Sequence, residues 1–296
     1  MADYINHNNN PAEKYPAPPF GRQAQSPPGL ERLLDPKADH GETSYRGNGL
    51  LIGKKAVITG ADSGIGKAIA IAYAREGADI LVSYLNEEED ALDTKKWVEH
   101  AGRQAILVPG DIRSEKHCHH LIAKATEEWG GIDILVNNAA YQRTYKDFGS
   151  IQADEWREVF DTNVHAMFYL CYEALPFMLA GSSIINTTSV NAYHPNPILL
   201  PYAATKAAIQ NFTANMAQMM LEADNGIRVN AVAPGPVWTP LIPSTIPEHE
   251  NFGKDTPMGR PGQPVEIAPI FVFLASEAAS YISGATIPAT GGKIAF

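Results

Sequence analysis

Tyr202 and Lys206, in the stretch YAATK, lie four residues apart among alanines and threonines. On a helix such positions share one face, so the lysine ammonium can stand near the tyrosine ring. A free phenol titrates near ~10 and is a poor base at neutral pH; a neighbouring positive charge favours its ionised form. The pair is therefore equipped to move a proton to or from an oxygen. Alone, such a pair is ordinary helix surface in most proteins, so its meaning depends on what else the chain brings. Ser189 offers a hydroxyl that can hold an oxygen while charge develops on it. The stretch TGADSGIGKAIA places Gly60, Gly64 and Gly66 between an apolar run and an alanine-rich segment. A turn without side chains lets a pyrophosphate approach the amides at the N-terminus of the following helix, where the dipole favours an anion. Inside a strand–turn–helix unit this pattern points to dinucleotide binding rather than a plain tight turn.

The elements that must position these groups are legible as alternating patterns. KAVITG reads as a buried strand, GKAIAIAYAREG as a helix ending at Gly77, and ADILVSY as a second strand. EDALDTKKWVEHAG is helical, QAILVPGD a strand, SEKHCHHLIAKATEEWG a helix capped by Ser114, and IDILVNNAA a strand. One long helix is expected through WREVFDTNVHAMFYLCYEALPFM. It precedes the strand SSIINTTS, a helix from about Tyr202, the strand IRVNAVAPG, the helix PVEIAPIFVFLASEAA and a last strand near ATIPA. The alternation predicts an α/β fold: a single Rossmann-type domain over 46–296, its doubly wound parallel sheet of about seven strands covered by helices on both faces. Ligands in such sheets sit at the carboxyl ends of the strands.

The glycine spacing, G-x-x-x-G-x-G, resembles that of the classical short-chain dehydrogenase/reductases, and further motifs follow in that family's order. GDI at 110–112 is similar to the adenine-contacting segment, NNAA at 137–140 stands where the family usually has NNAG, and PGPVWT at 234–239 resembles the turn that closes over the nicotinamide. Asn163, Ser189, Tyr202 and Lys206 match the catalytic tetrad in order and spacing. The resemblance covers about Leu50 to Phe296. It implies an NAD(P)-dependent oxidoreductase acting on a carbonyl or secondary alcohol. Tyr202 would be the general acid/base and Ser189 the orienting donor. Lys206 would bind the nicotinamide ribose, and Asn163 would hold a water on the proton path. The cofactor contacts it implies are Gly60, Ser63, Gly64, Ile65, Gly66, Ser83, Tyr84, Asp111, Ile112, Asn137, Ala139, Tyr202, Lys206, Pro234, Gly235, Val237 and Thr239. In the closing strand, SGATIPATGG, Thr290 stands where an aspartate is common. Bacterial oxidoreductases labelled glucose or ribitol dehydrogenase-like share the N-terminal extension and the NEEEDA stretch, and tetramers packed through the long helices are common in the family.

NAD-requiring Rossmann enzymes place an acid at the end of the second strand, where it meets the ribose hydroxyls. Here that position is Tyr84, after Ser83, with neutral Leu85 and Asn86 following. With neither a carboxylate nor an arginine there, the expectation is NAD(P) with a slight lean to NADP. Glu87, Glu88 and Glu89 read as a solvated helix start.

Composition bounds the rest. At 296 residues and 45% hydrophobic content the chain can bury a full core. A net charge of -10 argues against nucleic acid as a partner. No run of about 18 apolar residues is present to span a membrane and the start lacks a secretory pattern, so a cytoplasmic location is expected. Cys118 and Cys171 offer neither a disulfide framework nor a metal pair. HCHH at 117–120 reads as helix composition with Cys118 in the core, and no metal is expected. Trp156 with Phe160, and Met216 with Met219 and Met220, read as core or subunit contact. Residues 1–45 are interrupted by seven prolines and cannot fold alone. They are either a flexible tail or an arm packed on the domain or a neighbouring subunit, with Tyr4, Tyr15, Phe20 and Leu30 as anchors. The proline-rich segment at about 236–264 suits a lid. Together with VNAYHPNPILLP it gives Tyr141, Val190, His194, Trp238 and Leu241 as candidate substrate contacts. Two function classes compete: an active reductase or dehydrogenase, for which the intact tetrad argues, and a non-catalytic NAD(P)-binding redox sensor or structural subunit.

Overall fold

The structure is a computed structural model and describes residues 10–293. Seven strands, β1 (Lys55–Thr59), β2 (Asp79–Tyr84), β3 (Ala105–Pro109), β4 (Ile134–Asn137), β5 (Ser183–Thr187), β6 (Arg228–Pro234) and β7 (Thr286–Ala289), form one sheet in the order β3-β2-β1-β4-β5-β6-β7. Every neighbouring pair is parallel. The helices between them are α1 (Gly64–Arg75), α2 (Glu88–His100), α3 (Glu115–Trp129), α4 (Ala153–Phe160), α5 (Ala166–Ala174), α6 (Leu200–Glu222), α7 (Leu241–Thr245) and α8 (Pro264–Ala275).

Side chains alternate across a strand, and here both faces are covered, which is why the strands read as unbroken apolar runs. Ile58 of β1 joins one buried cluster with Ile69 of α1 and Phe271 of α8, while Val57 joins another with Leu121 of α3, Leu170 of α5 and Ile209 of α6. Each such side chain contributes roughly 1.5–3 kcal/mol by leaving water. The hydroxyl of Tyr73 donates to the Phe271 carbonyl at 3.0 Å, fixing α1 against α8. Because the chain runs outward from β1 in both directions, a crevice opens beyond the carboxyl ends of β1 and β4.

The long helix expected through WREVFDTNVHAMFYLCYEALPFM is not continuous. Between α4 and α5 lies a π-helical turn, Asp161–His165, and after α5 the chain tightens into a 3-10 turn at Leu175–Phe177 around Pro176. The wider turn carries Asn163, whose side chain is drawn to another segment, and such insertions cluster at functional sites.

The N-terminal extension from residue 10 onward packs on its own chain. Phe20 and Leu34 are buried with Trp238 and Ile242, the Phe20 and Trp238 rings 4.4 Å apart. Leu30 is only partly buried, so Leu34 is the stronger anchor. Tyr15 donates to Asp39 at 2.8 Å and faces the Arg260 guanidinium. Backbone bonds join Phe20 N to Glu250 O at 2.8 Å and Gln25 N to Pro243 O at 3.0 Å. The arm thus lies along the 236–264 segment. Tyr4 lies outside the described residues.

Candidate active site

β1 ends at Thr59, and the chain reaches α1 through Gly60 and Gly64, both in the left-handed region at φ 61° and 51°. At Gly66 the requirement is space: a Cβ there would sit 1.9 Å from the Gly60 carbonyl oxygen. Gly66 therefore lets the first turn of α1 press against the glycine turn from behind and does not line the cavity. Asn138 braces the same turn. Its amide nitrogen Nδ2 donates to the carbonyls of Thr59 at 3.1 Å and Gly60 at 3.2 Å, and its backbone N–H to Thr59 Oγ1 at 3.0 Å. Asn137, expected to touch cofactor, instead points between β4 and β5, where its Nδ2 donates to Asn186 Oδ1 at 2.9 Å. Strand alternation sends neighbouring asparagines to opposite faces, and Asn138 is the one that reaches the cavity wall.

The candidate reacting groups converge across the cavity from this turn. Ser189 follows β5, and its hydroxyl oxygen accepts the Asn191 N–H at 3.1 Å, fixing the short turn Val190–Ala192. α6 opens with Pro201 in its first turn, whose preset φ suits that position, and Tyr202 follows at once. Lys206, one turn on, sets Nζ 5.3 Å from the Tyr202 ring centroid and donates to the Thr187 carbonyl at 2.7 Å. Its own carbonyl accepts the Thr188 hydroxyl at 2.6 Å, tying α6 to the end of β5.

Burial pushes the Tyr202 phenol up to about 12, with the Ser189 hydroxyl acting the other way. Burial also pulls Lys206 down to about 7. In the protein alone, desolvation is thus the largest influence on the phenol. Tyr202 holds its proton at neutral pH.

Asn163 is 3% exposed, and its side chain is fully engaged: Oδ1 accepts the Tyr141 N–H at 2.8 Å, while Nδ2 donates to the Tyr141 carbonyl at 2.9 Å and to Thr205 Oγ1 at 3.0 Å. The side chain thereby fixes the loop after β4.

These elements enclose a cavity of about 700 Å³. It is lined by Gly60, Ser63, Gly64, Ile65, Ser83, Tyr84, Asp111, Ile112, Ala139, Ser189, Tyr202, Lys206, Pro234, Gly235, Val237 and Thr239, so most of the expected cofactor residues share one wall system. The Asp111 carboxylate is held by Arg113, whose Nη2 donates at 2.7 Å, and that bond keeps it below its ordinary range. Gly235 is needed for contact with the last strand: a Cβ would lie 2.8 Å from Thr290 Cα. A long cleft crossing a side-chain-free turn at a helix N-terminus suits an extended dinucleotide.

Of the candidate substrate contacts, Tyr141, Val190, His194 and Leu241 line the cavity. Trp238 does not. It is 0% exposed, packed against the tilted Phe20 ring, and its indole N–H donates to the Pro36 carbonyl at 2.8 Å. Only the arm supplies that apolar partner, so sequence position within the lid was misleading.

Sequence reasoning missed Asp62 and Glu87, which line the cavity while only 5% exposed each, and Pro27 and Pro28, which the arm contributes to its wall. Glu88 and Glu89 are exposed as a helix start should be, but Glu87 is turned inward. Asp62 could have been found as a charged residue inside the glycine turn; the two prolines carry no such signal. In HCHH, Cys118 is core and His119 pairs with Glu173 at 2.8 Å. Among the described residues no group of three or more His, Cys, Asp or Glu is arranged to hold a metal.

The sequence profile of a family described as Enoyl-(Acyl carrier protein) reductase matches residues 60–293. General stress protein 39 of Bacillus subtilis is 48% identical over 286 residues, covering 96% of this chain and 98% of that protein. Glucose and ribitol dehydrogenase of Daucus carota is 42% identical over 281 residues, covering 92% and 96%. Among solved structures, a short chain dehydrogenase from Burkholderia cenocepacia in complex with NADP superposes with a TM-score of 0.77 at 29% identity, covering 82% of this chain and 98% of that one.

Proposed function

Since the chain belongs to the short-chain dehydrogenase/reductase family, we propose that it is an NAD(P)-dependent oxidoreductase that interconverts a carbonyl and a secondary alcohol, with Tyr202 as its proton donor and acceptor. The observation that carries this reading is the convergence of Ser189, Tyr202 and Lys206 on one cavity, opposite the glycine turn.

Bound along the cleft, the dinucleotide supplies or takes up the hydride. The chain's own residues do the rest. Ser189 donates a hydrogen bond to the substrate oxygen and holds it as negative charge builds there. In carbonyl reduction Tyr202, whose phenol keeps its proton at neutral pH in the protein alone, gives that proton to the same oxygen. In alcohol oxidation the phenol must first be ionised, and Lys206 in its protonated form, with Nζ 5.3 Å from the ring centroid, favours this. Asn163 positions the loop carrying Tyr141, and with it the substrate end of the cavity. That end mixes Val190 and Leu241 with Tyr141 and His194, which fits a carbonyl compound of modest size and leaves hydroxylated substrates able to bond.

A homotetramer packed through α4, α5 and α6 belongs to the same proposal. Phe168 and Tyr172 stack on the exposed face of α5, and Met219 and Leu221 are exposed on α6. The described residues contain no helix long and apolar enough to cross a membrane, and both cysteines are unpaired, which suits the cytoplasm.

The test is consumption of NADH and of NADPH, separately, with a panel of aldehydes, ketones and sugars. Tyr202→Phe should lower turnover by ~10²–10⁴-fold with dinucleotide binding retained. Tight binding with no turnover by the wild type on the whole panel, in either direction, would leave only the non-catalytic reading.

A further inference from the structure

The cavity wall beyond the end of β2 is acidic, although Tyr84, Leu85 and Asn86 are neutral. Asp62 comes from the glycine turn and Glu87 from the residue preceding α2, and both line the cavity. One oxygen of Glu87, Oε2, accepts the Asn86 N–H at 3.1 Å. The other, Oε1, is buried without a hydrogen-bond partner, as is the hydroxyl of Ser83 beside it in the wall. A buried carboxylate oxygen left without a donor is costly, so a site that keeps one there is built for donors that a ligand brings. The two acids are close enough to interact: the Asp62 carboxyl is raised to about 7, by burial first and then by the charge of Glu87.

Nothing cationic offsets them. Among the described residues lining the cavity, the Lys and Arg side chains are Arg113, Lys206 and Lys293, and each is engaged elsewhere: with Asp111 and Glu158, with the Thr187 carbonyl, and with Asp255. Lys67, on α1, is held by Asp93 and Glu42, and Arg32, on the arm, by Glu89.

We propose that Glu87, with Asp62 and Ser83, forms the adenosine-ribose subsite of this cavity, accepts hydrogen bonds from a free 2′,3′-diol and rejects a 2′-phosphate, so that the protein selects NAD(H) over NADP(H). This rests on the dinucleotide reading of the cavity. The diol brings two O–H donors to unpartnered acceptors. A 2′-phosphate replaces one donor with up to two negative charges, facing two buried acidic groups. The selectivity arises from two positions that are not the end of β2, which is why the neutral strand end leans the other way.

Equilibrium binding of NADH and NADPH, read by nucleotide fluorescence, and competition by 5′-AMP and 2′,5′-ADP test this without turnover. The wild type should bind NADH ~10²-fold more tightly than NADPH and favour 5′-AMP in the same sense. Glu87→Gln should narrow the ratio about tenfold by weakening NADH and admitting NADPH, and Asp62→Asn should act in the same direction. Circular dichroism confirms that each variant is folded, and two independent variants keep the test open if one is not. Equal or tighter binding of NADPH by the wild type, or ratios unchanged in both variants, would overturn the subsite while leaving the dehydrogenase reading intact. Failure of all four nucleotides to bind would overturn both.

Discussion

Replacing Phe20 by alanine tests whether the N-terminal arm holds the 236–264 segment over the cavity. Phe20 is 8% exposed, its ring 4.4 Å from that of Trp238, with Leu34 and Ile242 completing the cluster. Truncating an enclosed phenylalanine costs about 3–5 kcal/mol, and an arm at the surface can partly collapse into the gap, so about 3 kcal/mol is expected here. At 1.4 kcal/mol per factor of ten, the undocked arm becomes ~10²-fold more populated. Gln23 and Pro11 still tether the arm through their bonds to His249 and Arg260, so the opening is local. Amide hydrogen exchange reads this directly. The Phe20→Ala amide at position 20, normally bonded to Glu250 O, and that of Gln25, bonded to Pro243 O, should exchange ~10²-fold faster, with Val57 of β1 and Leu135 of β4 unchanged. Because Pro27 and Pro28 form part of the cavity wall, dinucleotide KM should rise more than kcat falls. Unchanged exchange at positions 20 and 25 would refute the anchoring role. Equal acceleration in β1 and β4 would refute the separability of the arm from the core.

Gly66→Ala places a Cβ 1.9 Å from the Gly60 carbonyl, and since that oxygen is backbone, α1 must retreat at a cost of roughly 1–3 kcal/mol; nucleotide titration should show binding lost and the melting temperature lowered, and undiminished binding would show that the turn yields freely. Asp62 releases its proton near 3.8 when unfolded but near 7 when folded, so the folded state holds more protons between those values and stability falls as pH rises through them. Burial raises it most, Glu87 and Asp90 raise it further, and the Ser63 hydroxyl and its own backbone N–H lower it. Asp62→Asn should therefore melt above the wild type at about pH 8 and converge with it at about pH 4, and parallel curves across that range would contradict the buried acid pair. Trp238→Phe keeps the ring against Phe20 and removes the donor to Pro36; stability should fall by about 1 kcal/mol with turnover unaltered, whereas lost turnover at unchanged stability would return Trp238 to the substrate wall.

The fold and the gathering of the candidate reacting residues were legible because each is written in local patterns. Apolar runs such as KAVITG announce strands buried on both faces, the glycine spacing announces a turn that only a bare backbone can make, and Tyr202 and Lys206 share a helix face by periodicity alone. Ser189, Tyr202 and Lys206 accordingly line one cavity with Gly60 and Gly64. What the sequence did not decide depends on which way a side chain turns and on what lies against it from far along the chain. Asn137 and Asn138 are adjacent and identical, and only the pairing of β4 with β5 assigns one to the core and the other to the glycine turn. Trp238 reads as a substrate contact in the lid until Phe20, more than two hundred positions earlier, covers it. Glu87 reads as the solvated start of a helix until the direction of α2 carries it into the cavity. Periodicity fixes elements because it repeats every few residues, whereas the rotation of a single side chain, and the desolvation that shifts Asp62 and Lys206, are set by contacts that exist only once the sheet, the arm and the loops have closed around them.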